Sequence, residues 1–256
     1  MERRKFVAGS LLAASAFAAS GFSNAQVKKK EFYEWREYEM KFGSNQSLLH
    51  AYLEKALIPA LNRQGIKTVG VFKETSKTDP AKIYVLIPYP SMDQYIAINE
   101  KIRNDSEYRT NAQPYLQSPP EKPVFNRIRT SMMIAFDGLA NLTVPAKGTR
   151  LFEFRLYEGY NEDAVSRKVK MFNDAEIAVF YRTKLNPVFF GHMVAGPTVP
   201  CIAYMLVFKD MEERDKNWAA FSADADWKKI SQDPQYANTV SNIIRVFMEP
   251  LAYSQV

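Results

Sequence analysis

The chain has 256 residues, 34 of them basic and 28 acidic, with two histidines and one cysteine. A single cysteine excludes an intramolecular disulfide, so stability must come from a core that 17 Phe and 14 Tyr are able to build. A formal charge of +6 spread along the chain is not the clustered basic face of a nucleic-acid partner, and the histidines and cysteine have no metal-ligand spacing.

Residues 1–25 read as an export signal. Arg3, Arg4 and Lys5 form a basic start, an Ala- and Leu-rich run follows, and Ser23-Asn24-Ala25 puts small residues where a signal peptidase reads them. Cleavage is expected before Gln26. The apolar run is shorter than the ~20 residues of a membrane span, so the product is expected to be periplasmic or secreted, without stable membrane insertion. Arg3-Arg4 resembles a twin-arginine signal with Glu2 in place of the usual serine; a chance pair in a general secretion signal is the alternative. The mature chain keeps 31 basic and 27 acidic residues, a net +4, and Lys28 to Lys30 read as a solvated tail.

The elements then follow in order. Residues 32–40 alternate as a strand. Residues 47–63 carry Leu48, Leu49, Tyr52, Leu53, Ala56, Leu57, Ala60 and Leu61 at helical spacing, with Pro59 predicting a kink and Gly65 closing the helix. Strands are predicted at 66–72 and 83–89, helices at 91–104 and about 107–115, a proline-stiffened loop to Pro123, and a strand at 124–136. Residues 138–149, with Gly138, Pro145 and Gly148, form a seam. Beyond it come a strand at 151–158, a helix at about 162–182, strands near 187–194 and 201–208, helices at 211–221 and from Asp224, and a strand at 240–249.

The two runs are one unit stated twice. Tyr33-Glu34-Trp35-Arg36-Glu37-Tyr38-Glu39 and Phe152-Glu153-Phe154-Arg155-Leu156-Tyr157-Glu158 lie 119 residues apart, and Asp105 to Tyr108 answers Asp224 to Trp227 at the same offset. Each unit has the β-α-β-β-α-β order of a ferredoxin-like fold, at 26–137 and 150–256. The predicted fold is α+β: two ferredoxin-like repeats packed sheet to sheet, a dimeric α/β-barrel-like unit within one chain.

The second unit resembles the NIPSNAP family through Phe152 to Glu158, Lys170-Met171-Phe172-Asn173, Pro187 to Gly191, Tyr204 to Phe208, Arg214 to Trp218-Ala219-Ala220-Phe221, Asp226-Trp227-Lys228 and the stretch from Pro250 to Gln255. The first unit is similar more loosely, through Glu34 to Glu39 and Gly65 to Phe72. The resemblance spans the mature chain. It implies the tandem ferredoxin-like fold and carries no catalytic residues across. The wider dimeric α/β-barrel group includes haem-dependent enzymes and cofactor-free oxygenases, a fold-level analogy only.

Strand alternation puts Trp35, Phe152, Phe154 and Leu156 on one face and Glu34, Arg36, Tyr38, Glu153, Arg155 and Tyr157 on the other. The aromatic face is expected under the helices, which would point the Glu-Arg-Tyr sets into the barrel. There they are either a polar pocket for a ligand or structural ion pairs repeated with the unit. His192, beside Gly191 at a strand end, is the candidate haem ligand or general base; a hydrogen-bonded structural histidine is the alternative. No other cofactor is indicated. Binding of a small ligand or protein partner, a small oxygenase or haem-handling enzyme, and a structural or homo-oligomerising module all remain as functions. The aromatics Tyr108, Phe189, Phe190, Trp218 and Trp227 read as core before they read as a ring-stacking site.

Overall fold

The computed structural model describes residues 29–44, 46–146, 148 and 150–256. The expected export signal lies outside the described residues. The first half runs β1 (Phe32–Met40), α1 (Gln46–Tyr52), a π-helical turn (Leu53–Leu57), α2 (Ile58–Arg63), β2 (Gly70–Glu74), β3 (Lys82–Tyr89), α3 (Met92–Asn104), α4 (Ser106–Leu116) and β4 (Phe125–Ala135). The second runs β5 (Leu151–Glu158), α5 (Glu162–Met171), a π-helical turn (Phe172–Glu176), α6 (Ile177–Arg182), β6 (Asn186–Ala195), β7 (Cys201–Phe208), α7 (Met211–Ala223), α8 (Ala225–Ser231) and β8 (Asn242–Pro250).

The 119-residue offset is written into local chemistry. Ser91 and Asp210 cap α3 and α7, accepting from the main-chain N–H of Gln94 and Glu213. Asp105 and Asp224 cap α4 and α8, and each is also gripped by the arginine that ends α2 or α6. Arg63 donates to Asp105 and Glu107, and Arg182 to Asp224 and Asp226. The recurring acidic phrase is therefore a helix cap and clamp. The kink expected from Pro59 takes the form of the π-helical turn just before it, where the Ile58 N–H reaches back five residues to Leu53 O. Proline is not its cause, because the same turn stands 119 residues later, where Ala178 replaces Pro59.

All eight strands close into one antiparallel barrel, in the order β1-β3-β2-β8-β5-β7-β6-β4. Within each half the sheet is built as expected of a ferredoxin-like unit. The halves then join edge to edge, β2 to β8 through Phe72, Lys73 and Glu74, and β4 to β6 through Met132 to Ala135. Closure leaves two outer clusters under the helices, one per half, and one inner cluster shared by both.

The inner cluster corrects the expected facing of the strands. Trp35, Phe152, Phe154 and Leu156 point into the barrel with Tyr33, Phe72, Tyr84, Phe189 and Met205. Trp35 and Phe154, equivalent residues of the two halves, stack at its centre with centroids 4.5 Å apart and planes 3° from parallel. The Glu-Arg-Tyr sets face the helices instead. The side-chain-packed middle of the barrel offers a carboxylate no partner, whereas the helix layer supplies long donor side chains. One barrel end is plugged by Val256 and by Leu142 from the connection between the halves, the latter fixed by its N–H on Glu31 at 2.6 Å. The other end is open.

Candidate functional site

The polar set of the second half is a brace. Glu153, fully buried, accepts from Arg155 Nη1 at 2.6 Å, from Arg214 Nε and Nη2 at 3.0 Å, and from Trp218 Nε1 at 2.9 Å. Burial alone would push its carboxyl up, but the bonds from Arg214 and Trp218 and the charge of Arg155 outweigh that and hold it below the usual range. The Arg155 guanidinium lies 4.4 Å from the Trp218 ring centre and donates to Tyr157 Oη at 3.1 Å, and Tyr204 donates to Tyr157 in turn. Beneath the π-helical turn, Lys168 Nζ donates to Glu176 at 2.8 Å, and burial still raises the Glu176 carboxyl.

The first half repeats the strand residues with different partners. Arg36 grips Glu34 through Nε at 2.7 Å and Nη2 at 2.9 Å, and Tyr89 Oη adds a third bond at 3.1 Å. Tyr38 is buried in the helix-covered core, where burial raises its hydroxyl. Where the second half has Arg214, Trp218, Lys168 and Glu176, the first has Tyr95, Asn99, Leu49 and Leu57. None of Glu34, Arg36, Tyr38, Glu153, Arg155 and Tyr157 lines any of the five principal cavities.

His192 sits on the outer face of β6, paired across the seam with Ile134 and across β7 with Ile202. Ile202 separates it from Tyr157, a distance of about 10 Å at ordinary strand spacing. Burial and the charge of Lys30 lower its imidazole, and it too lines none of these cavities. Gly191 does not admit a ligand, because Met133 fills the space: a Cβ there would stand 2.9 Å from Met133 Cβ. A haem needs an axial ligand facing a cavity, and these residues do not fit one. Among the described residues no group of His, Cys, Asp or Glu gathers as metal ligands would, and no helix is long and apolar enough to cross a membrane.

Open space lies instead at the unplugged barrel end. A cavity of ≈ 320 Å³ there is lined by both halves, with Trp35 and Phe154 among its lining residues. Its walls differ in character because the duplicated positions have diverged. The first half contributes Glu37, Glu74 and Lys82, and the residues 119 further on are Leu156, Met193 and Cys201. Leu156, Met193, Ile244 and Val246 make an apolar wall, while Glu37, Glu74, Lys82, Tyr84, Arg129 and Ser131 make a polar one.

The polar wall is largely paired. Glu37 takes Lys82 Nζ at 3.1 Å and Arg129 Nη1 at 3.2 Å, and Arg129 also holds Glu39 at 2.6 Å. Tyr84 Oη donates to Glu74 Oε1 at 2.5 Å; burial, then this bond, raises the Tyr84 hydroxyl. Sequence reasoning missed these residues. Glu37 lies within the repeated phrase, at a position where the second copy has Leu156, and that divergence was the available signal.

The model of the NIPSNAP family matches residues 33–118 and 152–255. No curated protein matches the chain. Among solved structures it is similar to a candidate monooxygenase from Fusobacterium nucleatum, at 10% identity over 88% of this chain and 94% of that one, with a TM-score of 0.56. A candidate monooxygenase from Lactobacillus acidophilus is similar at 6% identity over 86% and 94%, with a TM-score of 0.55. An uncharacterized NIPSNAP-like domain protein from Burkholderia xenovorans aligns with 41% of this chain and 88% of its own at 15% identity, with a TM-score of 0.37. At these identities the monooxygenase likenesses establish the fold, the dimeric α/β-barrel type, and nothing of the reaction.

Proposed function

The chain belongs to the NIPSNAP family, and on that premise we propose that it binds a small, partly apolar molecule in the open mouth of its barrel. One observation carries this reading: the interior is packed with side chains except at that end, where a cavity has one apolar and one polar wall. Its volume falls at the lower end of the roughly 300–1,000 Å³ typical of small-molecule sites. The reading replaces the pocket expected around the Glu-Arg-Tyr sets, whose hydrogen bonds are made to one another and to the helices.

The test is native purification, with mass spectrometry of what co-purifies, beside a Leu156→Trp variant whose larger side chain fills the cavity. A molecule should be retained by the parent protein and lost by the variant at unchanged fold. Equal retention by both would place binding elsewhere and sink the proposal.

We further propose that binding takes place outside the cytoplasm, after removal of residues 1–25. The arrangement of Arg3-Arg4, the short apolar run and Ser23-Asn24-Ala25 supports this. Replacing both arginines with lysine should leave uncleaved protein in the cytoplasm if the twin-arginine route is used. Normal cleavage before Gln26 in that variant would point to the general route, and an uncleaved parent chain would overturn export.

A further inference from the structure

We propose that the molecule taken by the barrel mouth is an uncharged ring compound bearing a hydroxyl group, of the phenol class, and neither an organic anion nor an organic cation. This inference rests on the reading of the mouth as the binding site and deepens it. It starts from polar groups that line the cavity and have no partner. Trp35 is 4% exposed, and its indole Nε1–H makes no hydrogen bond to any described residue while staying reachable from solvent. Ser131, 6% exposed, likewise makes no side-chain hydrogen bond among the described residues. Glu74 spends Oε1 on Tyr84, and Oε2 makes no hydrogen bond or ion pair among the described residues. The site thus offers one free donor, the hydroxyls of Ser131 and of Thr198, the latter touching only sulfur at 3.9 Å, and one free acceptor beside an apolar wall. A hydroxyl group answers all three kinds: it donates to Glu74 and accepts from Trp35 or Ser131.

The charges argue the same way. Arg129 and Lys82 are committed to Glu37 and Glu39 at 2.6 to 3.2 Å, so an anion would have to displace carboxylates already in place. The charged residues lining the cavity, Glu37, Glu74, Lys82 and Arg129, sum to zero. A cation would find Glu74, but it would also meet two neighbouring cations and the positive end of the Trp35 N–H. Nor does the tryptophan offer a free face, since it already stacks with Phe154 at 4.5 Å and Tyr84 at 5.3 Å. A space of ≈ 320 Å³ holds about ten waters, the scale of a two-ring compound.

The experiment titrates the purified protein by calorimetry with four probes sharing one ring system: 1-naphthol, naphthalene, 1-naphthoate and protonated 1-naphthylmethylamine. The inference expects 1-naphthol to bind several-fold more tightly than naphthalene and at least tenfold more tightly than either charged probe. Trp35→Phe, which keeps the stack and removes the N–H, and Glu74→Gln should each weaken 1-naphthol three- to tenfold and leave naphthalene unchanged. Tightest binding of the naphthoate or the ammonium probe, lost in Leu156→Trp, would overturn the ligand class and keep the site. So would 1-naphthol binding that ignores both Trp35→Phe and Glu74→Gln but is lost in Leu156→Trp. If no probe binds, or if Leu156→Trp binds all four as the parent does, the class and the site fall together.

Discussion

Glu153→Gln isolates the claim that the repeated Glu-Arg-Tyr set holds the helices to the sheet. The glutamine keeps the shape and removes the charge that satisfies Arg155, Arg214 and the Trp218 N–H together. Breaking a buried ion pair from one side costs about 3–5 kcal/mol, because the remaining cation is stranded. Arg214 retains Asp215 at 2.8 Å, and Arg155, 8% exposed, retains only Tyr157 and its stacking on Trp218. The lower end of the range therefore applies, about 3 kcal/mol, which for a chain of this size lowers the melting temperature by about 6–12 °C. The control is Glu37→Gln at the rim, a partly exposed ion pair worth about 1 kcal/mol or less. Urea unfolding of both variants measures the difference. A Glu153→Gln loss no larger than that of Glu37→Gln would refute the brace.

Two further outcomes follow from buried titratable groups. His50 and His192 are both lowered from 6.5, chiefly by burial, so below that pH the unfolded chain binds more protons than the folded one. Stability should fall as pH drops through 6.5 and below it, and the fall should flatten in a His50→Gln, His192→Gln double variant; an unchanged urea midpoint between pH 7.5 and 5.5 would contradict the burial argument. Cys201 is wholly buried and its thiol is pushed up to about 11, mainly by burial, so iodoacetamide at pH 8 should label it only after unfolding. Rapid labelling of the native protein would show that the interior at the start of β7 is open to solvent.

What the sequence makes legible follows the physics of each feature. The duplication and the two β-α-β-β-α-β runs can be read directly, because offset and hydrophobic period survive divergence of individual residues. The facing of the strands cannot, because every central strand is buried on both sides and alternation alone does not say which side is the barrel. The donors that draw Glu153 and Arg155 to the helix side are present in the sequence. Arg214 and Trp218 are one helical turn apart on α7 and face the same carboxylate. Lys168 and Glu176 interrupt an otherwise apolar helix face for the same reason. The mouth is harder still to read, since Glu74, Lys82 and Arg129 gather on the sheet of the first half and face Leu156, Met193 and Ile244 only through barrel closure, and nothing local to any of them announces a cavity.

The chain has three tryptophans, and they separate the two places where a ligand could sit. Trp35 lines the barrel mouth, while Trp218 and Trp227 pack beneath the helices of the second half. Indole N–H resonances of protein labelled with ¹⁵N-tryptophan, assigned by the loss of one peak in Trp35→Phe, can be followed as 1-naphthol is added. With the ligand in the barrel mouth, the Trp35 resonance should move and saturate while the other two stay in place. Movement of Trp218 or Trp227 with Trp35 fixed would put the site beneath the helices and contradict binding in the mouth.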